Sequence, residues 1–369
     1  MAIQSINQKS LPSSQNWVGV VWTGAKFLAL CRNAGLLAES TDGIVWTQST
    51  KLMVSNWACI AAGGGKVMVV SDTNTPGVQW SSDHGATWTS YAAPSHLALP
   101  FGAALYLPTI DRFMVINKQS GNDASAHWPS GSTASFIGNS VAADINANDL
   151  AWGAGLVVAP PVNGDYSAWL SDLASTSNWV GGGNMGATGG WSTLTYGAGK
   201  FVALKFNSAT YATSTDGKTW TSRTLPVSGQ WRKIRFGVNM FLAIADDGKA
   251  LASADGLTWT QFAIPVASYT GLAASDSCFV AVSNGAVGLL SVHVKITGTV
   301  RDAAGAYAAR TVRCYDRATG VLASETNSSA VDGSFTLYPS TPNACYVVAL
   351  DDEAGDVLNA LIFDRVTPA

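Results

Sequence analysis

The sequence has few charged residues and no dense block of either sign. Only 12% of its 369 residues are charged, and the formal net charge is −3. Because nucleic-acid binding depends on clustered Lys and Arg, this distribution argues against a nucleic-acid partner. No apolar run approaches the roughly 20 residues that span a bilayer. The opening residues, MAIQSINQKS, lack the apolar segment of a secretory signal.

Cysteine and histidine are sparse as well. The five cysteines include no CxxC pair, and the four histidines are dispersed. The sequence therefore predicts no metal site and no cofactor. Cys314 and Cys345 fall in strand-like segments that could lie side by side, and the sequence leaves open whether they form a disulfide.

Glycine and tryptophan are abundant, and the distribution of tryptophan indicates two different parts of the chain. The 37 glycines and 14 tryptophans indicate many short strands joined by tight turns, with large rings filling the space between them. All the tryptophans lie before residue 260. Residues 293–369 carry 6 Lys and Arg against 9 Asp and Glu, so the net charge of −3 lies in this segment. We predict two domains, residues 1–292 and 293–369.

A short turn followed by an apolar strand recurs seven times, at intervals of 38 to 46 residues. This period is the length of a four-stranded antiparallel unit and is typical of a repeat architecture. The copies are WTGAKF (22–27), AGGGKV (62–67), PTIDRF (108–113), WGAGLV (152–157), YGAGKF (196–201), FGVNMF (236–241) and ASDSCF (274–279).

A second repeated motif is a polar turn followed by tryptophan. Its clear copies are STDGIVW (40–46), SSDHGATW (81–88), STDGKTW (214–220) and SADGLTW (253–259). We expect the Asp side chain to accept backbone N–H groups of the turn and the Gly to take a positive φ. Each turn supplies one carboxylate, which favours a structural role over a calcium site. The residues concerned are Asp42, Asp83, Asp216 and Asp255, with Trp46, Trp88, Trp220 and Trp259 expected between adjacent sheets.

These turns resemble the Asp-box, or BNR, repeat of sialidases, sortilin-type receptors and many bacterial and phage proteins. The resemblance covers roughly residues 1–292 and implies a β-propeller, in which four-stranded blades are arranged radially. The last repeat lacks a terminal strand, and INQKSLPSSQNW (6–17) matches WTSRTLPVSGQW (220–231). We therefore predict an all-β fold, with a seven-bladed β-propeller closed by the N-terminal strand.

The C-terminal segment has different motifs. TGTVRDAAG (297–305) and VDGSFTLY (331–338) resemble the carboxypeptidase-regulatory-like, or transthyretin-like, β-sandwich family. Residues 346–368 resemble a module at the C-termini of tailed-phage virion proteins. This resemblance implies a virion component assembled in the host cytoplasm, with other virion or tail proteins as partners and possible homo-oligomers.

The Asp-box resemblance also raises the possibility of a sialidase-like enzyme. That family uses an arginine triad, a Tyr–Glu pair and an Asp acid, whereas Glu39 is the only glutamate before residue 292. Glycosidases need two facing carboxylates, which the aspartates outside the turns could supply. We expect no enzymatic activity and keep a surface glycan hydrolase as the third alternative. The aspartates in question are Asp123, Asp144, Asp149 and Asp165.

The connections between the second and third strand of each repeat vary in length and composition, and irregular loops on a rigid scaffold are the usual place for recognition. The longest are residues 117–127 and 160–167. Their amide, carboxylate and aromatic groups suit a sugar. The candidate ligand-binding residues are Asn122, Asp123, His127, Asp165 and Tyr166.

The sequence thus favours a phage tail-tip or fibre protein that recognises the host cell surface. A glycan is the expected ligand, and a protein receptor is the other possibility. The alternative is a structural decoration or joint protein of the virion without an external ligand. The host, the receptor, the oligomeric state, the domain that docks on the particle and its place on head or tail all stay open.

Overall fold

The structure, a computed structural model of the chain, describes residues 5–9, 11–53, 55–72, 77–91, 101–117, 124–129, 137–140, 147–171, 173, 179–285, 289–293, 296–302, 304–337, 339, 345–350 and 361–366. Every regular element in these ranges is a β-strand, which confirms the predicted all-β class. Within the same ranges, no helix is long and apolar enough to cross a membrane.

The strands follow one another closely along the chain. The first are β1 (Ser5–Lys9), β2 (Gln15–Trp22), β3 (Phe27–Cys31), β4 (Leu37–Ser40), β5 (Thr47–Ser49), β6 (Trp57–Gly63), β7 (Lys66–Ser71), β8 (Val78–Ser81), β9 (Thr89–Tyr91), β10 (Phe101–Leu107), β11 (Arg112–Asn117), β12 (Ala124–Pro129) and β13 (Ile137–Ser140). The next are β14 (Ala151–Gly153), β15 (Leu156–Ala159), β16 (Tyr166–Leu170), β17 (Val180–Asn184), β18 (Trp191–Gly197), β19 (Lys200–Lys205), β20 (Ser208–Ser214), β21 (Thr221–Gly229), β22 (Trp231–Gly237), β23 (Met240–Ala245), β24 (Lys249–Ser253), β25 (Thr260–Ala263), β26 (Tyr269–Ala274), β27 (Cys278–Gly285) and β28 (Leu289–His293). The last are β29 (Ile296–Thr299), β30 (Thr311–Asp316), β31 (Leu322–Asn327), β32 (Ser334–Leu337), β33 (Cys345–Ala349) and β34 (Leu361–Val366).

The repeat region forms small antiparallel sheets in which the strands pair in chain order. The separate four-stranded sheets are β6–β9, β10–β13, β14–β17, β18–β21 and β22–β25. The remaining strands belong to one sheet of order β1-β28-β27-β2-β3-β4-β5, with β26 also paired to β27. β1 therefore pairs with β28, as the sequence predicts for the N-terminal strand.

The first strand of each repeat lies on the inside, next to the corresponding strand of the next repeat. These inner strands contact one another in the cyclic order β2, β6, β10, β14, β18, β22, β26 and back to β2. A closed ring of antiparallel sheets is the arrangement of a β-propeller. The count of seven blades stays a prediction.

A buried tryptophan near the start of the inner strand packs between the sheets of the repeat region. Trp17, Trp57 and Trp191 have no exposed surface. Each indole N–H donates to the carbonyl four residues earlier, at 3.2, 3.1 and 3.1 Å. The ring thus fills the space between sheets while its polar atom stays paired, which explains why tryptophan suits this position.

The C-terminal strands form two further sheets, β29-β32 and β31-β30-β33-β34. By spatial clustering, one compact unit comprises Gln8–Ser275 and Phe279–Ser291, and the other includes the described residues from Val292 onward. Both sheets of the second unit contribute to one core, which includes Ile296, Val312, Phe335 and Val347.

The two cysteines of this unit are buried and unlinked. Cys314 lies on β30 and Cys345 on the neighbouring strand β33. Neither forms a disulfide. Burial raises the pKa of each thiol. Because the thiolate is the reactive form, a raised pKa makes both side chains less reactive.

Candidate functional site

The structure describes three of the five loop residues predicted to bind ligand, His127, Asp165 and Tyr166. Asn122 and Asp123 lie outside the described residues. His127 belongs to β12, where its backbone pairs with Met114 of β11. Tyr166 is the first residue of β16, and its side chain is 61% exposed.

Asp165 lies just before β16, where the loop between β15 and β16 contacts the segment after β17. Its backbone carbonyl accepts the Met185 N–H at 2.9 Å, and the Gly189 N–H donates to the Gly164 carbonyl at 2.9 Å. One carboxylate oxygen of Asp165, Oδ1, is buried without a hydrogen-bond partner among the described residues. The structure thus joins Asp165 and Tyr166 to the segment after β17, a neighbour that the sequence did not indicate.

The four repeated Asp turns share one hydrogen-bond pattern, which the turn at Asp255 illustrates. Asp255 Oδ1 accepts the backbone N–H groups of Leu257 and Thr258, each at 2.8 Å, and the Ser253 hydroxyl at 2.9 Å. Ser253 Oγ accepts the Gly256 N–H at 2.8 Å. Gly256 has a φ of 69°. Corresponding bonds occur at Asp42, Asp83 and Asp216.

These bonds stabilise the ionised carboxylates. The N–H groups of Thr258 and Leu257 lower the pKa of Asp255 to about 2. For Asp83, the Thr87 hydroxyl and N–H lower the pKa in the same way. The Asp side chains of these turns are therefore ionised at neutral pH and accept local hydrogen bonds.

The tryptophans that follow the four Asp turns contact nearby aromatic rings or polar groups. The Trp220 indole N–H donates to Ser167 Oγ at 2.8 Å, and that of Trp88 to the Gly85 carbonyl at 3.2 Å. The ring of Trp46 lies 6.4 Å from Phe27 and that of Trp259 lies edge-on to Tyr211 at 5.9 Å, between centroids. These contacts place the four rings between strands of the repeat region.

The ring of inner strands surrounds a channel with two different ends. One end is a cavity of about 340 Å³ and the other a cavity of about 350 Å³. Residues from all the inner-strand segments line both cavities, and the two cavities share the residues at mid-channel, including Asp149 and Arg235.

We call the first cavity the basic mouth, because its lining includes Arg32, Arg232, Lys233 and Arg235. Three of these cations form ion pairs: Arg32 with Asp72 at 2.7 Å, Arg232 with Asp246 at 2.6 Å and Arg235 with Asp149 at 2.9 Å.

In each pair the carboxylate is the more buried partner. The side chains of Asp72, Asp246 and Asp149 are 13%, 11% and 6% exposed, against 32%, 46% and 30% for their arginines. The buried carboxylates also accept backbone N–H groups, as Asp72 does from Phe101 and Asp246 from Tyr269. The acids thus hold the guanidinium groups in place, and the arginine side chains are the more exposed partners.

Two of these arginines keep unused donors. Arg32 bonds Asp72 through one Nη, and Arg232 bonds Asp246 through Nε while its guanidinium lies 4.5 Å over the Phe206 ring. A guanidinium has five N–H donors, so both retain several that no described residue accepts.

A repeated backbone bond puts these side chains at the mouth. The residue that follows the second strand donates its N–H to the carbonyl just before the buried tryptophan of the inner strand: Arg32 to Asn16, Asp72 to Asn56 and Asp246 to Gln230, at 2.8, 2.9 and 3.1 Å. This site is not among those predicted from the sequence. Its signal was a charged residue directly after the apolar second strand, as in LCRN, VSDT and IADD.

The second cavity is the aromatic end of the channel. Its lining includes the half-buried rings of Trp22, Tyr106, Trp152, Tyr196 and Phe236. Several of these rings pack on a glycine of the preceding repeat. A Cβ added to Gly63, Gly153 or Gly197 would come within 2.0 to 2.1 Å of the facing ring. Only glycine admits such a close approach.

Asp149 and Arg235 separate the two ends. The Arg235 guanidinium donates to both carboxylate oxygens of Asp149, at 2.9 and 3.2 Å, and Thr193 Oγ1 adds a bond at 2.7 Å. Burial alone would raise the pKa of Asp149, but the positive charges of Arg235 and Lys233 hold it below its ordinary value. The pair is therefore ionised and mutually satisfied.

Glu39 lies in similar contacts, and Asp123 and Asp144 lie outside the described residues. Glu39 bonds Lys26 and Lys51 at 2.5 and 2.6 Å and also accepts the Ser49 hydroxyl. In the ranges that the structure covers, no three His, Cys, Asp or Glu side chains come close enough to hold a metal ion.

The fold and its central channel define the class of protein: the chain contains a β-propeller.

No family model matches the sequence, and no curated protein matches it. Among solved structures, it is similar to YCF48 bound to D1 peptide, with 16% identity, a TM-score of 0.62 and coverage of 79% of this chain and 98% of that one. It is also similar to a catalytically inactive virginiamycin B lyase from Staphylococcus aureus with quinupristin, with 9% identity, a TM-score of 0.65 and coverage of 78% and 98%. A third structure, YCF48 from Cyanidioschyzon merolae, shares 13% identity, with a TM-score of 0.58 and coverage of 77% and 98%. At these identities the likeness concerns the fold alone.

Proposed function

We propose that this protein is a recognition component of a phage particle, whose propeller binds a glycan of the host cell surface. The observation that carries the proposal is the basic mouth, where oriented arginines with unused donors surround an open cavity. The assignment to a phage particle rests on the resemblance of residues 346–368 to phage virion modules.

The position of the mouth supports a role in recognition. Strands alternate in direction within each sheet, so the loops between second and third strands lie at the same end as the starts of the inner strands. Arg32, Asp72 and Asp246 belong to these loops or their edges, and so do Asp165 and Tyr166. The irregular loops and the charged cavity thus belong to one face of the propeller.

A protein receptor is the second candidate, and one structural comparison favours it. One of the similar propellers is described as bound to a peptide. Oriented guanidinium groups bind carboxylates of acidic peptides as well as those of sugars.

Adsorption to candidate host cells tests both candidates. Labelled protein is added to cells with and without prior periodate oxidation of surface glycans. We expect saturable binding that oxidation abolishes. Binding that survives oxidation would favour the protein receptor, and absence of binding to every strain that the parent phage infects would contradict a recognition role.

The variant Tyr166→Ala tests whether the loop face is used. We expect it to weaken adsorption, because an exposed ring is the usual stacking surface for a sugar. Tyr307→Ala is the matched control, since Tyr307 is also exposed but lies in the other unit. If only the control variant lost adsorption, binding would belong to the C-terminal unit and the proposed face would be wrong.

A further inference from the structure

We propose that the aromatic end of the channel binds a neutral sugar ring, in a slot between Trp22 and Phe236 where one repeat has alanine in place of an aromatic residue. This inference goes beyond the proposed function. The slot lies at the end of the channel opposite the basic mouth, and it does not depend on whether the mouth binds a glycan.

The slot arises at one equivalent position of the inner strands. In cyclic order, the residues that pair with the start of the second strand at this position are Trp22, Ala62, Tyr106, Trp152, Tyr196, Phe236 and Ala274. The strand of Ala274, β26, contacts both the strand of Phe236, β22, and the strand of Trp22, β2. Ala274 therefore leaves a gap between two aromatic rings.

The backbone behind Ala274 has the form that accommodates a ring elsewhere in the channel. Tyr106, Tyr196 and Phe236 each pack on a glycine of the preceding repeat. Ala274 faces such a glycine too, since a Cβ added to Gly237 would come within 2.3 Å of the Ala274 Cβ. The glycine is present although the ring is absent, so a flat group of a ligand can occupy the place of the ring.

The rings on the two sides of the gap are held in place by their own repeats. Phe236 packs on Phe241 with 4.8 Å between centroids, and Trp22 packs on Phe27 at 4.7 Å. Both rings are half-buried and line the cavity. Because they are already ordered, stacking on the C–H face of a sugar costs little side-chain entropy.

Polar groups at the slot favour a sugar over an apolar molecule. Within the described sheets, β22 and β26 pair only with β23 and β27, so the backbone N–H and C=O groups of their other edges face the channel. Among the described residues, none accepts a hydrogen bond from the Trp22 indole or the Tyr196 hydroxyl. An apolar molecule would cover these groups without pairing them, whereas sugar hydroxyls both donate and accept.

The charges of the cavity favour a neutral ligand. Among the described residues of its lining, the charged ones are Asp149 and Arg235, which bond each other at 2.9 and 3.2 Å. A charged ligand would lose its water without gaining a partner of opposite charge. The volume of about 350 Å³ is at the small end for ligand sites and suits a short sugar.

Saturation-transfer NMR of the full-length protein tests the proposal. The probes are the methyl glycosides of glucose, galactose, mannose, N-acetylglucosamine, fucose and rhamnose. We expect at least one of them to bind, with an affinity that does not change with salt concentration. Absence of binding by all six would overturn the proposal, and so would binding that weakens steeply with salt, because it would indicate the charged mouth.

The variant Ala274→Phe tests the position of the site. A ring at residue 274 would pack on Gly237 as Phe236 packs on Gly197, so we expect it to fill the slot and abolish glycoside binding without lowering the thermal unfolding midpoint. Ala263→Phe is the matched control, because Ala263 is exposed on β25, the outermost strand of its sheet. Equal glycoside binding by the two variants would contradict the slot.

The variant Trp22→Phe tests the polar contact and does not depend on whether Ala274→Phe folds. It keeps an aromatic ring but removes the indole N–H, and we expect it to weaken glycoside binding about threefold or more. Tyr166→Ala, on the loop face, should have no effect on this binding. Loss of binding in Tyr166→Ala but not in Trp22→Phe would assign the sugar to the loop face and overturn the proposal.

Benzyl alcohol serves as the aromatic probe that tests the ligand class. We expect it to bind more weakly than the glycoside, because it pairs fewer of the polar groups at the slot. If Ala274→Phe abolished the binding of benzyl alcohol but left every glycoside bound as in the wild type, the slot would accept aromatic groups and the assignment to a sugar would be wrong.

Discussion

The two ends of the channel are built from the same strands but differ in how regular they are. At the aromatic end, five of the seven repeats contribute an aromatic ring to the cavity lining. At the basic mouth, the residues after the second strand differ in size and sign of charge, as Arg32, Asp72 and Phe206 show. Packing between sheets dictates the first position, whereas only a backbone bond fixes the second. The repeat therefore leaves the side chains of one end free for recognition.

The largest effect is expected where the two ends meet. Arg235→Leu leaves the buried Asp149 carboxylate without its partner and should cost about 3–5 kcal/mol of unfolding free energy. Urea denaturation measures this loss. Replacing both residues by Leu should restore part of it, because no unpaired charge then remains. A double variant less stable than the single one would show that the pair itself is a main source of stability.

A smaller effect is expected at the aromatic end. Gly197→Ala places a Cβ about 2.0 Å from Phe236 Cγ and should destabilise the protein by about 1–3 kcal/mol through overpacking. Gly181→Ala is the control, since a Cβ there meets no atom within 4 Å. In a double-mutant cycle, Phe236→Ala should relieve the cost of Gly197→Ala. Additive effects would mean that the ring and the glycine are not in contact.

The lowered pKa of Asp255 in its turn predicts how the stability of the protein depends on pH. The folded pKa of Asp255, about 2, lies below the ordinary value of about 3.9. The stabilisation from this turn is therefore complete above about pH 4 and is lost as pH falls toward about 2. Since the side chain is exposed, we expect about 1 kcal/mol from one turn. Asp255→Asn should flatten the acid branch of the stability curve, and an unchanged slope would contradict the assignment.

The smallest effect on stability is expected at the basic mouth. Arg232 is 46% exposed in its pair with Asp246, so Arg232→Gln should cost only about 0–1 kcal/mol. The comparison with Arg235→Leu tests whether arginines of one cavity divide into a binding group and a structural group. Equal losses in urea denaturation would mean that both are structural.

The sequence was sufficient for features that recur in the chain. The turn motifs predicted the strand order and the pairing of β1 with the end of the repeats. Both depend on the repeat period and on the residues of each turn, which are local properties of the sequence. The hydrogen bonds of Asp255 follow from the turn motif in the same way.

The basic mouth could not be predicted, because it joins side chains from distant repeats. Arg32 and Arg232 are 200 residues apart, and nothing in either segment indicates that both line one cavity. We predicted binding at the longest loops, 117–127 and 160–167, because loop length is visible in a sequence whereas the direction of a guanidinium is not.

The closure of the ring also constrains synthesis of the chain. Thr270 Oγ1 donates to the Trp17 carbonyl at 2.8 Å across a separation of 253 residues, and β1 pairs with β28. A ribosome releases the partner of β1 only after it has made nearly the whole repeat region, so the first strand must wait unpaired. Such long-range closure slows folding. During that wait the exposed edge of β1 is available to chaperones, or to the β28 strand of another copy of the chain.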